Sequence, residues 1–562
     1  MAKKLARPVV KETSPATVFL KYAVSVYLFL FFVIYPLYYE RKYYNMGEAK
    51  WHFFKGITFY FKPAAFRGAV LPSVLGMMII FLAWRMGELI YKKEFKSVFR
   101  WKLTSITDKF MIIYMALVGV SCMLSPLKMN ILEATDLDIG YKNNIFWGYS
   151  GWHMGLMAQL AFVMLYFIIS RYWTYDILWL RVYLGVATAV MILGILTQFM
   201  IDPLNMFDGA EINQHLWQTY FMSTLGQSSW YSSFVGVVAA VGVFILWYSD
   251  DKISRILALI YSIIAFMTLI TDNADSSILA FIGFMSVLFC YSLKNNKKFI
   301  RFLEIMLLSL LTWRITGILR AVFPEHTGEL GGIAEFLMNS PLIALVMIMT
   351  AILLFVSVKA NEKEKLDITK FKSLWWVYIG LVIFGFIAVT IYIVLNTTGK
   401  LPENLSTDNN YLFWNYTWGN GRGGDWESTT RSFFESFGDN VLVGLFGPGP
   451  DMMHRVAYKY HQEILDAFSS NSRMVCAHNE WLTAFSNYGL LGGAAYLAAF
   501  VSSVVRNHKL SKKKPFLICV NMCVVAYMAH NFFCYQQIIC TPLIFIIMGM
   551  GEAIARNEEE TL

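Results

Sequence analysis

The sequence predicts an all-α fold, a polytopic membrane helical bundle of about 14 spans, and three observations predict it. Of the 562 residues, 57% are hydrophobic and only 15% are charged, with a mean hydropathy of +0.50. Soluble domains are about 45–50% apolar and about 25% charged. The apolar excess falls in runs of about 18–23 residues, long enough for a helix to cross a hydrocarbon core of about 30 Å. Because backbone groups in lipid must satisfy their own hydrogen bonds, these runs are expected to be helices.

The predicted spans form two groups on either side of one long polar interval. Eleven spans come first, at 18–38, 68–91, 110–127, 152–170, 182–202, 230–249, 255–271, 275–293, 302–318, 341–358 and 375–395. Three more follow, at 489–505, 516–534 and 538–555. We therefore divide the chain into an N-terminal transmembrane bundle (1–395), a large loop (396–488), and C-terminal helices with a cytoplasmic tail (489–562).

The distribution of lysine and arginine predicts the orientation. With the N-terminus inside, the cytoplasmic segments carry about twice as many Lys and Arg residues as the outer segments. Both termini are then cytoplasmic, and the loop 396–488 is extracytoplasmic. The segment 39–67 is basic although it falls outside, and its aromatic residues indicate an amphipathic helix at the membrane interface. Residues 1–17 with the first apolar run resemble an uncleaved signal anchor.

Charge and cysteine usage exclude some classes of function. The net charge of +9 fits cytoplasmic anchoring, and no basic domain with interleaved aromatics indicates a nucleic-acid partner. Six of the seven cysteines lie in or beside predicted spans, and Cys476 is the one in the large loop. This pattern indicates neither a disulfide scaffold nor a metal site. We expect no cofactor.

The large loop holds residue types that carry chemistry. Arg422 lies among glycines, and an arginine fork suits bidentate contact with phosphate. His478 can accept a proton near neutral pH, and it comes just before the chain re-enters the membrane. Trp418 and Trp426 offer faces on which sugar rings stack, and an aromatic belt at the membrane interface is the alternative interpretation.

A rigid turn interrupts the loop between two predicted helices. The Gly-Pro-Gly-Pro run over 447–450 is incompatible with regular structure. A short amphipathic helix is predicted before it, over 429–440, and a second helix after it, over 451–468.

The order of these motifs resembles the O-antigen ligase and O-antigen polymerase family of membrane glycosyltransferases. The matching elements are a Gly-Arg-x-x-x-Trp motif, a glycine-rich turn, and a His-Asn-x-x-Leu motif with a glycine eleven residues after the histidine. In this chain they comprise Arg422 and Trp426, then Gly444-Leu445-Phe446-Gly447-Pro448-Gly449, then His478-Asn479-Glu480-Trp481-Leu482 with Gly489.

Two earlier segments bear on the same resemblance. Ser223-Thr224-Leu225-Gly226-Gln227 is similar to the family's outer "TxGN" segment, with Gln in place of Asn. Thr271-Asp272-Asn273-Ala274-Asp275-Ser276 stands where many members carry a Ser-Arg pair. This departure leaves the subgroup open.

The resemblance implies a fold like the class C glycosyltransferases (GT-C), with an outer cavity capped by the large loop. It also implies inverting, metal-independent transfer of a glycan from undecaprenyl diphosphate to an acceptor hydroxyl. His478 and Arg422 would be catalytic, and Arg422, which matches the family's loop arginine, would bind the diphosphate. Because a departing diphosphate needs cations, Arg314, Arg320 and Arg431 are further candidates for its binding. Glycan or acceptor would contact Trp426, Trp418, Asn479 and Glu480, while Gly447, Gly449 and Gly489 would shape the motif backbone. Arg314 lies within a span, where arginine is costly and usually functional, and snorkelling to the interface is its alternative.

We therefore expect a surface-polysaccharide polymerase of O-antigen or capsule type, multi-pass in the bacterial cytoplasmic (inner) membrane, with its active site on the outer face. The same motifs serve a ligase that transfers a finished glycan to a lipid or protein acceptor. A flippase for lipid-linked oligosaccharides fits the number of spans, but related halves and charges along a pathway are not evident. A further alternative is a binding or scaffold protein of an assembly complex, whose function would tolerate loss of His478. The expected partners are the undecaprenyl-diphosphate-linked oligosaccharide, an acceptor glycan and the lipid bilayer, with a flippase and a chain-length regulator as further candidates.

Overall fold

The computed structural model describes residues 14–40, 46–61, 71–93, 105–125, 145–149, 151–207, 221–468 and 474–556. Within these ranges the chain is helical apart from short turns and two antiparallel pairs of two-residue strands. The strand pairs are Tyr60–Phe61 with Leu71–Pro72, and Phe221–Met222 with Gly226–Gln227. The helical membrane bundle predicted from hydropathy is thereby confirmed.

Fourteen helices lie at the positions of the predicted spans. Eleven of them are long and apolar enough to cross a membrane. These are Pro15–Leu37 (α1), Val74–Tyr91 (α3), Ile106–Leu124 (α4), Ile177–Gln198 (α6), Ser228–Tyr248 (α7), Lys252–Thr271 (α8), Asp275–Ser292 (α9), Asn296–Val322 (α10), Pro341–Glu362 (α12), Leu374–Thr397 (α13, preceded by a 3-10 turn at Ile368–Phe371) and Glu480–Leu510 (α17). The other three are shorter: Leu156–Tyr172 (α5), Phe516–His530 (α18) and Thr541–Arg556 (α19). The total of 14 membrane crossings stays a prediction.

The C-terminal helices pack inside the N-terminal bundle. Helix α17 packs on α4, α9 on α18, and α5 on α19. Side chains of both groups, such as Phe162, Tyr166, Tyr496 and Tyr527, belong to one hydrophobic core. In contrast, α12 and α13 contribute no buried side chains to this core. Only 6% of the most apolar stretch of α12 is buried, and 0% of that of α13. Their apolar surfaces are available to lipid.

The helix predicted at the membrane interface within 39–67 is present at Met46–Thr58 (α2), but it packs into the bundle. Trp51 and Phe54 on its inner face belong to the core. Lys50 is fully buried, and its ammonium donates to the carbonyls of Tyr35 and Pro36 at 2.6 and 3.2 Å. The lysine therefore stabilises the carboxyl end of α1, where unpaired carbonyls concentrate negative charge. Residues 41–45 and 62–67 lie outside the described ranges.

The large loop is mostly helical. It contains Trp418–Asp439 (α14), Val441–Phe446 (α15) and Met453–Phe468 (α16), after a 3-10 turn at Glu403–Leu405. The predicted helix over 429–440 is the second half of α14, and the predicted helix over 451–468 corresponds to α16. The remaining short helices are Gly332–Asn339 (α11) and the 3-10 turn Pro324–His326.

The re-entry helix begins earlier than hydropathy indicated. Helix α17 starts at Glu480 instead of residue 489, and it contains a break at Gly489, where φ is 69°. Polar residues before Gly489 lower the mean hydropathy of this first part of the helix, so hydropathy did not assign it to the span. The boundary of the large loop therefore moves to about residue 479.

Candidate functional site

His478 is fixed at the start of α17. Its own φ is 46°, a left-handed conformation that is uncommon for residues other than glycine. The next residue, Asn479, caps the helix, because its Oδ1 accepts a hydrogen bond from the backbone N–H of Leu482 at 3.0 Å. The cap and the turn before it set the direction of the imidazole.

The imidazole of His478 contacts a carboxylate. Its Nδ1 lies 2.7 Å from Oδ2 of Asp425, whose side chain is 8% exposed, whereas that of His478 is 38% exposed. A carboxylate at Nδ1 favours the tautomer with its proton on Nδ1, which leaves Nε2 as a proton acceptor. The pair therefore has the arrangement of a general base with an orienting acid.

Asp425 was not among the residues singled out from the sequence. It lies three positions after Arg422, so the two side chains share one face of α14. This helical spacing was the available signal. His478 then meets that face from 53 positions further along the chain.

Tyr535 packs behind the imidazole of His478. The two rings meet edge to face, with centroids 5.3 Å apart. Trp230 donates its indole N–H to the phenol oxygen of Tyr535 at 3.2 Å, and that phenol donates to Gln227 at 3.4 Å. The segment resembling "TxGN" is thus linked to His478 through Tyr535.

Arg422 is positioned by an unusual backbone. Gly419, Asn420 and Gly421 all have positive φ, from 57° to 91°, and α14 runs regularly only after them. The guanidinium of Arg422 donates from Nε to the carbonyl of Phe533 at 3.1 Å and from Nη1 to the carbonyl of Gly419 at 2.6 Å. Its Nη2 bonds no group in the described part of the chain. The half-buried cation is therefore anchored on one edge and available on the other.

Two of the other arginines predicted to bind the diphosphate donate hydrogen bonds to backbone carbonyls in α11 or just before it. Arg314 donates to the carbonyl of Met338 at 2.8 Å. Arg320 donates to the carbonyl of Gly328 at 2.7 Å and pairs with Glu335 at 3.5 Å. Within the described ranges the structure does not bring them into contact with His478 or Arg422, so binding of the diphosphate by Arg314 or Arg320 stays a prediction.

Arg431, the third of these arginines, forms a surface ion pair. Its Nη2 lies 2.5 Å from Oε1 of Glu427, one helical turn earlier, and its side chain is 57% exposed. An exposed pair of this kind contributes little to stability. Its position on the surface of α14 also argues against a role at the His478 pair.

The two candidate tryptophans belong to an aromatic cluster. Trp426 stacks on Phe533 with centroids 5.4 Å apart, and Trp418 lies 5.3 Å from Trp426. Trp418 is buried and donates its indole N–H to the carbonyl of Tyr411 at 3.1 Å. These contacts hold α14 against the turn that follows α18. Stacking of either tryptophan on a sugar stays a prediction.

Glu480 and Asn479 occupy structural positions. Glu480 is 1% exposed, and its carboxylate accepts hydrogen bonds from the phenols of Tyr496 and Tyr527 and from the amide of Asn531. Asn479 is committed to the helix cap. The geometry argues against the direct acceptor contact predicted for both residues, because protein donors already occupy the Glu480 carboxylate and both side chains are buried.

The three motif glycines bring two backbones into contact. Gly447, Gly449 and Gly489 all have positive φ. A Cβ on Gly447 would lie 2.2 Å from the carbonyl oxygen of Asn487, and one on Gly489 would lie 2.5 Å from the backbone nitrogen of Gly447. The glycine-rich turn therefore sits directly on the break in α17, which a side chain at these positions would prevent.

A buried polar network surrounds His530, a residue for which the sequence predicted no role. Nε2 of His530 lies 2.8 Å from the hydroxyl of Ser232 and 3.0 Å from that of Ser276. Its Nδ1 lies 2.6 Å from Oδ1 of Asn531, and Nδ2 of the same amide donates to the carboxylate of Glu480. A histidine inside an apolar run was the signal that could have found it.

The segment 271–276, which departs from the family pattern, also contacts the large loop. Tyr411 donates its phenol proton to Oδ2 of Asp275 at 2.8 Å. Burial and the neighbouring Asp275 raise the pKa of Tyr411 to about 12, so the phenol remains a donor at neutral pH. The contact fastens the start of the large loop to the amino end of α9.

Comparison with models of known protein families gives no match, and no curated protein matches the chain. The assignment of function therefore depends on the site itself. That site combines a carboxylate-supported imidazole with an anchored guanidinium that keeps one N–H edge available. Such a set can remove a proton from a hydroxyl and stabilise a departing anion.

Proposed function

We propose that the protein is a membrane glycosyltransferase, a surface-polysaccharide polymerase that transfers a glycan from undecaprenyl diphosphate to the hydroxyl of an acceptor sugar. The observation that carries the proposal is the contact between His478 and Asp425 beside Arg422. The loop and its glycine-rich turn supply the resemblance, and the apolar helices supply the setting for a lipid-borne substrate.

His478 acts as the base in this proposal. Its Nε2 accepts the proton of the acceptor hydroxyl while the oxygen forms a bond to the anomeric carbon of the donor glycan. The bond between that carbon and the diphosphate oxygen breaks, and the electron pair leaves with the lipid diphosphate. Attack from the side opposite the leaving group inverts the anomeric centre. Asp425 orients the imidazole and stabilises the imidazolium that forms.

Arg422 supports departure of the diphosphate. Its Nη2 edge is available, and its anchoring on the carbonyls of Gly419 and Phe533 holds the cation in place before substrate binds. A positioned charge of this kind needs no reorganisation as the reaction proceeds, so it stabilises developing negative charge efficiently. Arginine also suits the paired oxygens of a phosphate.

The proposed setting is the outer face of the bacterial cytoplasmic membrane. The excess of lysine and arginine in alternate loops supports this orientation. A fold of the GT-C type, with about 14 crossings and both termini inside, is part of the proposal. The glycan would reach the site on its lipid carrier from the outer leaflet.

Product analysis on purified protein tests the proposal. The protein would be placed in nanodiscs with lipid-diphosphate oligosaccharide from cell extracts and EDTA, and products would be separated on a gel. A ladder of multiples of the repeat unit is the expected result. A single transfer to an added lipid or protein acceptor would assign the ligase reaction instead. The absence of turnover, together with protein-dependent movement of the intact lipid across a liposome bilayer, would contradict an enzyme and favour a flippase.

A further inference from the structure

A groove opens between α8 and α10 at the opposite end of the bundle from His478. Its volume is about 450 Å³, and Leu246 near the end of α7 contributes to its floor. Helix α7 starts beside Gln227, which contacts Tyr535, and ends 21 residues later at the groove. At 1.5 Å per residue the two sites are about 30 Å apart. In the orientation proposed above from the lysine and arginine count, the groove lies on the cytoplasmic side.

Some charged side chains at the mouth of the groove already form ion pairs within the protein. Asp250 lies 2.7 Å from Nζ of Lys297 and 2.6 Å from Nη2 of Arg301. Arg301 is 4% exposed and also donates to the carbonyl of Trp247 at 3.0 Å. Lys297 and Arg301 lower the pKa of Asp250 to about 2, and the buried Arg301 is held both by this carboxylate and by the carbonyl of Trp247. These residues stabilise the carboxyl end of α7.

Two other cations at the mouth are available to a ligand. Lys252 forms no ion pair or side-chain hydrogen bond with any residue in the described ranges. Arg255 lies three positions later, on the same face of α8, and its guanidinium is 3.3 Å from Glu304. Both partners of that pair are more than a third exposed, and exposed pairs contribute little to stability. A phosphate can therefore compete for Arg255.

Below the mouth the groove is apolar. Ile256 and Leu259 line it from α8, and Ile305 and Leu308 line it from α10. Cations at the mouth and aliphatic walls below match an amphiphile with an anionic head and a hydrocarbon chain. Basic pockets between membrane helices on the cytoplasmic side are known to suit anionic lipid head groups.

We propose that this groove binds an anionic phospholipid of the cytoplasmic leaflet. Lys252 and Arg255 hold the phosphate, and an acyl chain lies against Ile256 and Leu259. The site is independent of the proposed transferase reaction, because none of these residues contacts the His478 pair.

Lipid titration of the full-length protein tests this site. Delipidated protein in detergent would be titrated with phosphatidylglycerol and, separately, with phosphatidylcholine, and bound lipid would be counted by native mass spectrometry. Phosphatidylglycerol should bind at least about tenfold more tightly, because its head group carries a net negative charge, whereas Lys252 and Arg255 repel the choline cation of phosphatidylcholine. The double substitution Lys252→Gln with Arg255→Gln should remove about tenfold of that affinity. The matched control is Lys363→Gln with Lys365→Gln, which removes the same charge from an exposed segment outside the groove.

A second variant separates the groove from general surface charge. Leu259 is 38% exposed, so Leu259→Trp fills the apolar wall without entering the core. It should weaken binding of phosphatidylglycerol although every charge remains. Melting temperatures without added lipid show whether each variant is folded. Equal affinity for the two lipids, equal loss in the control pair, or full binding by Leu259→Trp would each overturn the proposal.

Discussion

Nδ1 of His478 lies 2.7 Å from Oδ2 of Asp425, although the two residues are 53 positions apart. The contact joins the amino end of α17 to the start of α14. Because Asp425 is buried and His478 is partly exposed, the carboxylate is sheltered while the imidazole remains open to a substrate. The following predictions depend on this geometry.

Replacing Asp425 tests whether it orients His478. Asp425→Asn keeps the size of the side chain but removes the charge that fixes the tautomer. We expect the maximal transfer rate to fall by about 10²-fold or more, with little change in KM. Asp425→Glu should restore part of the rate. Asp439→Asn, at the other end of the same helix, is the control and should leave transfer unchanged. Equal rates for Asp425→Asn and the control would contradict the orienting role.

Arg422 and Arg431 provide a matched pair on one helix. Arg422→Gln removes the cation beside the His478 pair, and we expect the rate of transfer to fall by about 10²–10³-fold. Arg431→Gln removes an exposed cation that is paired with Glu427, and its rate should stay within about twofold of the unsubstituted protein. Both are measured on the same lipid-linked substrate. Similar losses in the two variants would indicate a general effect of charge instead of a specific contact.

Gly489 should resist substitution for steric reasons. In Gly489→Ala the new Cβ would lie 2.4 Å from the carbonyl carbon of Leu445, at a φ of 69°. We expect destabilisation on the order of 1–3 kcal/mol, seen as a lower melting temperature in detergent. Gly438→Ala, where no atom lies within 4 Å of the new Cβ, should be neutral or slightly stabilising. Equal melting temperatures would show that the close backbone contact does not form.

The stability of the loop should depend on the ionisation of Asp451. Burial raises the pKa of Asp451 from 3.8 to about 6, although its carboxylate accepts the backbone N–H of Tyr149 at 2.6 Å. The folded protein therefore binds this proton more tightly than the unfolded chain does. The stabilisation is present at low pH and is lost as pH rises through about 6.

Asp451→Asn measures this dependence directly. The variant has no charge to bury, so its melting temperature relative to the unsubstituted protein should rise between pH 4 and pH 7. The corresponding free energy is at most about 3 kcal/mol. A difference in melting temperature that stays constant across this range would contradict the assigned ionisation.

Much of the fold could be predicted because a long apolar run in lipid must form a helix to satisfy its backbone hydrogen bonds. Hydropathy located each of the fourteen helices, and motif order located His478, Arg422 and the glycine-rich turn. The start of α17 was misplaced because its first nine residues alternate between polar and apolar side chains and do not form a continuous apolar run. The motif at His478 also led us to expect an acceptor contact at Glu480, whereas its side chain is buried at the beginning of the helix.

The features of the fold and of the site that could not be predicted depend on contacts between distant segments. The spacing from Arg422 places Asp425 on the same helix face, but the contact with His478 depends on how α14 and α17 pack. The packing of α2 into the bundle was also not predicted, because the basic and aromatic residues of 39–67, Lys50 among them, indicated a helix at the membrane interface. In the fold, the same lysine is buried against backbone carbonyls of α1. Long-range packing of this kind leaves no periodic signal.

The measurement that most directly tests the central claim compares two histidine variants for polymer formation. His478→Ala removes the proposed base, and His326→Ala removes an exposed histidine from the turn after α10. Each would be purified to the same level, shown to be folded by its melting temperature, and supplied with lipid-diphosphate oligosaccharide. We expect the ladder of repeat units to be lost in His478→Ala and unchanged in His326→Ala. A complete ladder formed by His478→Ala would contradict the account.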